Sequence, residues 1–168
     1  TPLAGIMMGS RCGDVDPSAV TYVAKQRNIP PEKLDAIMNK QSGLLGICGR
    51  NDMRDVHEAC RNGDEMAKLA FDMFIYRIQK YLGSYYAVLG RVDALVFTAG
   101  IGENDHITRA AACRGLEHLG FKLDETANAA PGQGTRLISA PDSPTAIYVI
   151  PTDEELEIAQ LTQALAVK

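Results

Sequence analysis

Four short stretches hold the residues with chemistry in them. The first is Met8-Gly-Ser-Arg11-Cys-Gly-Asp14-Val-Asp16. Its glycines let backbone bend closely around a ligand, and the Arg11 guanidinium offers a two-pronged donor to carboxylate or phosphate. The competing reading pairs Arg11 with Asp14 or Asp16 in a solvated loop. The second is Asn51-Asp52-Met53-Arg54, where Asp52 and Arg54 could hold the polar edges of an adenosine while Met53 packs on its ring. Asp52 could equally cap a helix, with Arg54 facing solvent. The third is Gly100-Ile101-Gly102-Glu103-Asn104, placed between an apolar run and a helix, where glycines admit phosphate or ribose to a helix start. It lacks the third glycine of a dinucleotide fingerprint, and no G-K-[ST] is present, so a nucleotide site of another type stands beside a plain tight turn. The fourth is Glu154, in an acidic first turn that either complements the helix dipole or holds Mg2+ through water.

The elements that must position these residues follow from periodicity and capping. Thr1–Val15 read as a loop. Asp16-Pro17 starts a helix with Val20, Val23 and Ala24 on its apolar side, and Pro30-Pro31-Glu32 starts a second, with Leu34, Ile37 and Met38, that Gly43 stops. A Gly-spaced apolar stretch, Gly43–Gly49, precedes a helix capped at Asn51 or Asp52 and ending near Asn62-Gly63. The strongest helical period runs from Asp64 to Leu89, about 26 residues or ~39 Å. Its apolar band is wide enough for a central helix or a subunit interface. Asp93–Thr98 reads as a strand buried on both faces. It ends in the Ala99–Asn104 turn, and a helix then runs to Gly120 with Ile107, Ala111, Leu116 and Leu119 inward. Residues 125–135 read as loop. Arg136–Ser139 and Ala146–Ile150 form two short strands around Pro141–Pro144, and Thr152–Glu155 is a capping box into a last helix.

The chain has 168 residues, 17 basic and 21 acidic, for a net charge of −4, with 46% hydrophobic and 23% charged residues. These values suit a globular domain or part of one. The acidic balance argues against a nucleic-acid or anionic-membrane partner. No apolar run reaches the roughly 18–20 residues of a spanning helix, so the expectation is a soluble, cytoplasmic protein. The cysteines, Cys12, Cys48, Cys60 and Cys113, form no C-x-x-C pair, and the three histidines show no metal-ligand spacing. Reduced thiols are expected, with Cys60 and Cys113 packed as small apolar residues. Many helices against so few strands suggest an α/β fold, helix-rich with a small mixed sheet, belonging to a larger protein.

In this order the segments closely resemble the acetate kinase family. The resemblance rests on Thr1-Pro-Leu-Ala-Gly-Ile-Met-Met-Gly-Ser-Arg-Cys-Gly-Asp-Val-Asp-Pro17, Lys40-Gln-Ser-Gly-Leu-Leu-Gly46, Asn51–Asp55, Phe97-Thr-Ala-Gly-Ile-Gly-Glu-Asn104 and Val149-Ile-Pro-Thr-Asp-Glu-Glu155. It implies the C-terminal part of an actin-like, ribonuclease-H-like ATPase. Residues 1–168 would form one incomplete nucleotide-binding domain, without the N-terminal domain and the first strands. It also implies reversible, Mg2+-dependent phosphoryl transfer from ATP to acetate, giving acetyl phosphate and ADP, by a homodimer. Arg11 matches the arginine that stabilises the transferring phosphoryl group. Asp52, Met53, Arg54, Gly100, Ile101, Gly102, Glu103 and Asn104 match the nucleotide-contact segments, and Glu154 the magnesium-linked glutamate. Ala4, Cys12 and Asp153 depart from the usual Glu, Ser and Asn. The family's remaining catalytic residues lie in a front half with no counterpart here, so the chain alone is expected to be inactive. Propionate kinase, with the same motifs, and a non-catalytic dimerisation or nucleotide-binding module are the alternatives.

Overall fold

In a computed structural model that describes residues 3–166, Asp16 begins the first helix by local chemistry. Its Oδ1 accepts from the Ser18 N–H at 2.7 Å, opening α1 (Pro17–Gln26) with proline at the first position. Thr1 and Pro2 of the long N-terminal motif lie outside the described residues. The chain divides into two compact units, Thr1–Val88 and Leu89–Lys168.

In the first unit α1 is followed by α2 (Pro31–Lys40), α3 (Gly43–Cys48), α4 (Met53–Arg61) and α5 (Glu65–Leu89), whose last residue falls across the boundary. Asp52 caps α4 through the Arg54 N–H at 2.9 Å. Asp64 caps α5 through the Met66 and Ala67 N–H groups. Two expectations are corrected here. α2 leaves helical geometry at Gln41 rather than at Gly43, and Gly43–Cys48, expected as an irregular stretch, is a helix. The reason is tertiary: the amides of Ser42, Leu44 and Leu45 donate to the carbonyls of Ser10, Met8 and Gly9 at 2.8–3.0 Å. A neighbouring loop thus satisfies the free donors of the helix start. Met7, Leu44, Met53, Val56, Ala59, Ala67, Ala70, Phe74 and Ile75 are the buried apolar residues of this unit. α5 buries only that stripe and leaves Met66, Leu69, Met73, Tyr76 and Tyr85 exposed. The apolar side proposed for α1 is only partly covered: Val20 and Ala24 are half-buried, Val23 is exposed, and no α1 residue is fully buried.

The second unit is built on three short strands, β1 (Ala94–Phe97), β2 (Arg136–Leu137) and β3 (Ala146–Val149), in the order β1-β3-β2. β1 lies parallel to β3, with Ala94 opposite Ala146 and Phe97 opposite Val149, and β2 is antiparallel to β3. β3 takes the central place and buries Ile147 and Val149. β1 is the correction: its residues alternate exposed and half-buried, because β3 is its one strand partner among the described residues. After β1 the expected turn is helical, α6 (Ala99–Asn104). The helix expected to run to Gly120 breaks into α7 (His106–Cys113) and a 3-10 turn, Glu117–Leu119. That break falls at Arg114, which leaves helical geometry, and at Gly115, whose φ is +80°. Asp105 separates α7 from α6 by capping α7 through the Thr108 N–H at 3.0 Å and the Thr108 hydroxyl at 2.6 Å. α7 turns Thr108, Arg109, Ala112 and Cys113 inward, while Ile107 is exposed. The 125–135 loop contains α8 (Glu125–Ala129), capped by Asp124. α9 (Glu154–Ala166) closes the described chain with no buried residue.

Cys113 is packed as expected, and burial pushes its thiol up to about 12. Cys60 is half-buried, and all four cysteines are free thiols. No helix among the described residues is long and apolar enough to cross a membrane.

Candidate functional site

In the first unit the Arg11 loop is held on several sides by main-chain atoms. Besides the α3 bonds, the Met8 N–H donates to Arg11 O at 3.0 Å and the Cys12 N–H to Met38 O at 3.0 Å. Two glycines make this approach possible. A Cβ on Gly43, whose φ is +62°, would lie 2.0 Å from Met8 O, and one on Gly9 would lie 2.5 Å from Asn51 O. The Lys40–Gly46 and Asn51 segments therefore support the Arg11 loop directly. Arg11 itself is exposed, and its guanidinium makes no hydrogen bond or ion pair among the described residues. Asp14 and Asp16, its expected solvated-loop partners, are used elsewhere. Asp16 caps α1. Asp14 accepts from the Gly5 N–H at 2.7 Å and from the Tyr81 hydroxyl, with Arg77 3.5 Å away. These contacts, the Gly5 bond first, hold its carboxyl below the usual carboxylate range.

Asp52 and Arg54 form a fork: Arg54 Nε donates to Oδ1 at 3.0 Å and Nη2 to Oδ2 at 2.6 Å. The side-chain bonds from Arg54, together with its backbone N–H, bring the Asp52 carboxyl down to about 2. The Arg54 side chain is 90% exposed, so both halves of the capping reading hold. Met53 is buried at 5% exposure, its side chain spent on the core of the unit.

In the second unit the parallel pair aims two candidate segments at the same end. β1 and β3 both point their carboxyl ends toward it, and from there emerge Ala99–Asn104 and Pro151–Glu154. Thr152 joins them, its N–H donating to Glu103 Oε1 at 3.0 Å and its hydroxyl to the same oxygen at 3.2 Å. The expected capping box is therefore not formed. Asp153 replaces it by accepting from the Leu156 N–H at 2.9 Å. Glu154 is exposed, its carboxylate free of partners among the described residues.

Arg109 fixes the third segment, and sequence reasoning missed it. Buried at 2% exposure, it donates through Nη1 to the carbonyls of Gly102 and Glu103, both at 2.9 Å. Nε donates to Asn128 Oδ1 at 2.7 Å and Nη2 to Asn128 O at 2.8 Å. Asn128 Nδ2 in turn donates to His106 O at 2.9 Å. One guanidinium thus closes the C-terminal end of α6 and ties it to α8. The available signal was its place in an otherwise apolar helix, Ile107 to Cys113. The turn into α6 needs Ala99 at φ +58°, a left-handed conformation that a Cβ disfavours. Beside α6 lies a cavity of about 300 Å³ lined by Glu103, Asn104, Gly132, Arg136, Val149 and Pro151. The Arg136 Nε is buried there without a hydrogen-bond partner. One guanidinium, the two amides of Asn104 and Gln133, and one carboxylate beside an apolar strand end suit a polar organic ligand.

The acetokinase family model matches residues 1–160. The chain belongs to the acetokinase family. It is 59% identical over 162 residues to an acetate kinase of Nitratidesulfovibrio vulgaris strain DP4, covering 96% of this chain and 40% of that protein. Among solved structures it is similar to Porphyromonas gingivalis acetate kinase, with a TM-score of 0.91, 41% identity, and coverage of 99% of this chain and 42% of that one. It is also similar to a propionate kinase of Francisella tularensis, with a TM-score of 0.87, 43% identity, and coverage of 95% and 41%. The chain spans about two-fifths of the length of these acetokinase relatives. Its helix-rich architecture with a small mixed sheet is that of a fragment of the actin-like ATPase fold.

Proposed function

We propose that this chain is the nucleotide-binding, C-terminal portion of an acetate kinase. The whole enzyme transfers a phosphoryl group reversibly from ATP to acetate, giving acetyl phosphate and ADP. The observation that carries this reading is the acetokinase match across residues 1–160, which includes every segment with chemistry in it. Phosphoryl transfer asks a protein mainly for positioning and charge stabilisation. Arg11, braced through its backbone and with its guanidinium unpaired among the described residues, is suited to take charge on the phosphoryl oxygens. Asp52 and Arg54, and Gly100, Ile101, Gly102, Glu103 and Asn104, are the nucleotide contacts, while Met53, its side chain packed in the core, anchors the first of the two segments instead of meeting the ring. Arg109 keeps the second in shape, and Asp52 and Arg54 enter binding by exchanging their mutual fork for ligand contacts.

Glu154 fits magnesium as a single hard oxygen donor. No cluster of three or more His, Cys, Asp or Glu side chains able to hold a metal occurs among the described residues. Water and phosphate oxygens would complete the coordination, which is how magnesium usually binds beside a nucleotide. When bound, the ion neutralises phosphate charge. The exposed apolar residues of α5, Met66, Leu69 and Met73 among them, suit a subunit contact in a cytoplasmic homodimer. Sedimentation at high concentration tests this, and a clean monomer counts against it.

Calorimetry with Mg·ADP tests the nucleotide reading on the chain itself. Binding is expected, weakened by Asp52→Ala and abolished by Gly100→Trp, whose indole would occupy the turn after β1; no binding at all overturns the reading. A coupled assay is expected to detect no phosphotransfer from the 168-residue chain. The likeness to a propionate kinase makes propionate the competing acceptor. Relative kcat/KM for acetate and propionate in the full-length enzyme separates the two.

A further inference from the structure

The loop that carries Arg11 has one brace that its own neighbourhood does not supply. The Gly5 N–H donates to Asp14 Oδ1 at 2.7 Å, and the Asp14 N–H returns a bond to Gly5 O at 2.8 Å, closing a ring of chain with Arg11 inside it. The other carboxylate oxygen, Oδ2, accepts a hydrogen bond from the Tyr81 hydroxyl. Arg77, one turn earlier on α5, donates through Nη2 to Asp14 O at 3.0 Å and lies 3.5 Å from Oδ2. Both side chains project from a 25-residue helix, so they transmit the position of a long regular element to the loop. Three residues from Asp14, Arg11 is exposed, with no side-chain partner among the described residues. Nothing at its own tip fixes it, so its placement is inherited from the loop backbone. A shift of about 1 Å in a group that stabilises a transition state can cost on the order of 100-fold in rate.

We propose that Asp14 and Tyr81 are positioning residues for phosphoryl transfer: the Tyr81–Asp14 bond, steadied by Arg77, docks the Arg11 loop on α5 and sets where the Arg11 guanidinium meets the phosphoryl group. Neither residue touches substrate. The inference rests on the role given to Arg11 above.

The test uses the full-length enzyme and Tyr81→Phe, which removes the donor and keeps the ring. The expected result is a fall in kcat on the order of 10- to 100-fold, with KM for ATP changed less than about two-fold. The double variant Arg11→Ala/Tyr81→Phe should be no slower than Arg11→Ala alone, because a positioning group has nothing left to position. An unchanged kcat in Tyr81→Phe, or a double variant slower by the product of the two single effects, overturns the inference. An Arg11→Ala enzyme with normal kcat instead removes the reading on which it rests. Amide hydrogen exchange on the 168-residue chain gives a second readout free of catalysis. Tyr81→Phe should speed exchange at Met8–Asp14 and leave α4 unchanged, and equal protection of the loop in both proteins also overturns it.

Discussion

Arg109 is a buried cation whose four hydrogen-bond acceptors are all neutral: three main-chain carbonyls and the Asn128 amide oxygen. Burial is the first cause lowering its pKa, followed by the nearby charge of Arg136. Arg109→Met is expected to lower the stability of the second unit by on the order of 3 kcal/mol in urea denaturation, since it strands carbonyls at the end of α6. Arg109→Lys should recover only part of this, because one ammonium cannot span acceptors on both α6 and α8. Asp52 yields a pH prediction. Its folded carboxyl titrates at about 2, against 3.8 for a free aspartate, so its contribution to α4 is fully present above 3.8. That contribution is lost as pH falls from 3.8 through about 2. Carboxyl-carbon NMR should place the Asp52 midpoint there, and Arg54→Ala should move it back up. A midpoint that ignores Arg54 would refute the fork as its cause. At the Ala99 turn, Ala99→Gly removes a misplaced Cβ and should stabilise the chain by about 1 kcal/mol, read from thermal unfolding.

Elements with starts written in adjacent residues were legible in the sequence, and elements held from a distance were not. α1, α4 and α5 begin at Asp16, Asp52 and Asp64, each bonding an amide two residues ahead, and that chemistry is local. α3 and α6 depend on partners elsewhere in the chain: the Met8–Ser10 carbonyls for α3, and the Arg109 guanidinium, itself held by Asn128, for α6. α8 is the exception, because Asp124 caps it locally through the Thr126 and Ala127 amides, but its five residues are too few to carry a helical period. The Thr152 box was a sound local motif that lost to a competitor 49 residues away, the Glu103 carboxylate. The candidate site divides the same way. Arg11, the Asp52 cap and the glycines of Gly100–Asn104 were visible as residue types at telling spacings, whereas Tyr81, Arg77 and Arg109 act through the fold. The α3 junction is open to a direct test. Gly43→Ala puts a methyl group against Met8 O and keeps an unfavourable φ, and should cost at least about 2 kcal/mol in denaturant unfolding. An unchanged midpoint would show that the Met8–Arg11 loop gives way freely.

Across the whole chain, large apolar residues remain uncovered: Val88 and Leu89 at the end of α5, Val96 on β1, and Leu156, Ile158, Leu161 and Leu165 on α9. The chain spans about two-fifths of the length of its relatives, and under the function proposed above these surfaces would meet the remainder of the enzyme. The isolated 168-residue chain is expected to bind a fluorescent apolar dye strongly, and the full-length protein to bind far less per molecule. Equal dye binding by the two would mean that these residues stay in water. The clasp around Arg11 carries a different implication. Its closures run largely between amides and carbonyls, which every residue type but proline supplies alike. Side chains in the loop can therefore drift over evolutionary time without loosening it. Such divergence should be freest at positions like Arg11's neighbour Cys12, where the amide carries the tertiary bond and the thiol reaches only the adjacent Gly13 carbonyl, and most tightly forbidden where a lineage would have to put a methyl group in place of hydrogen.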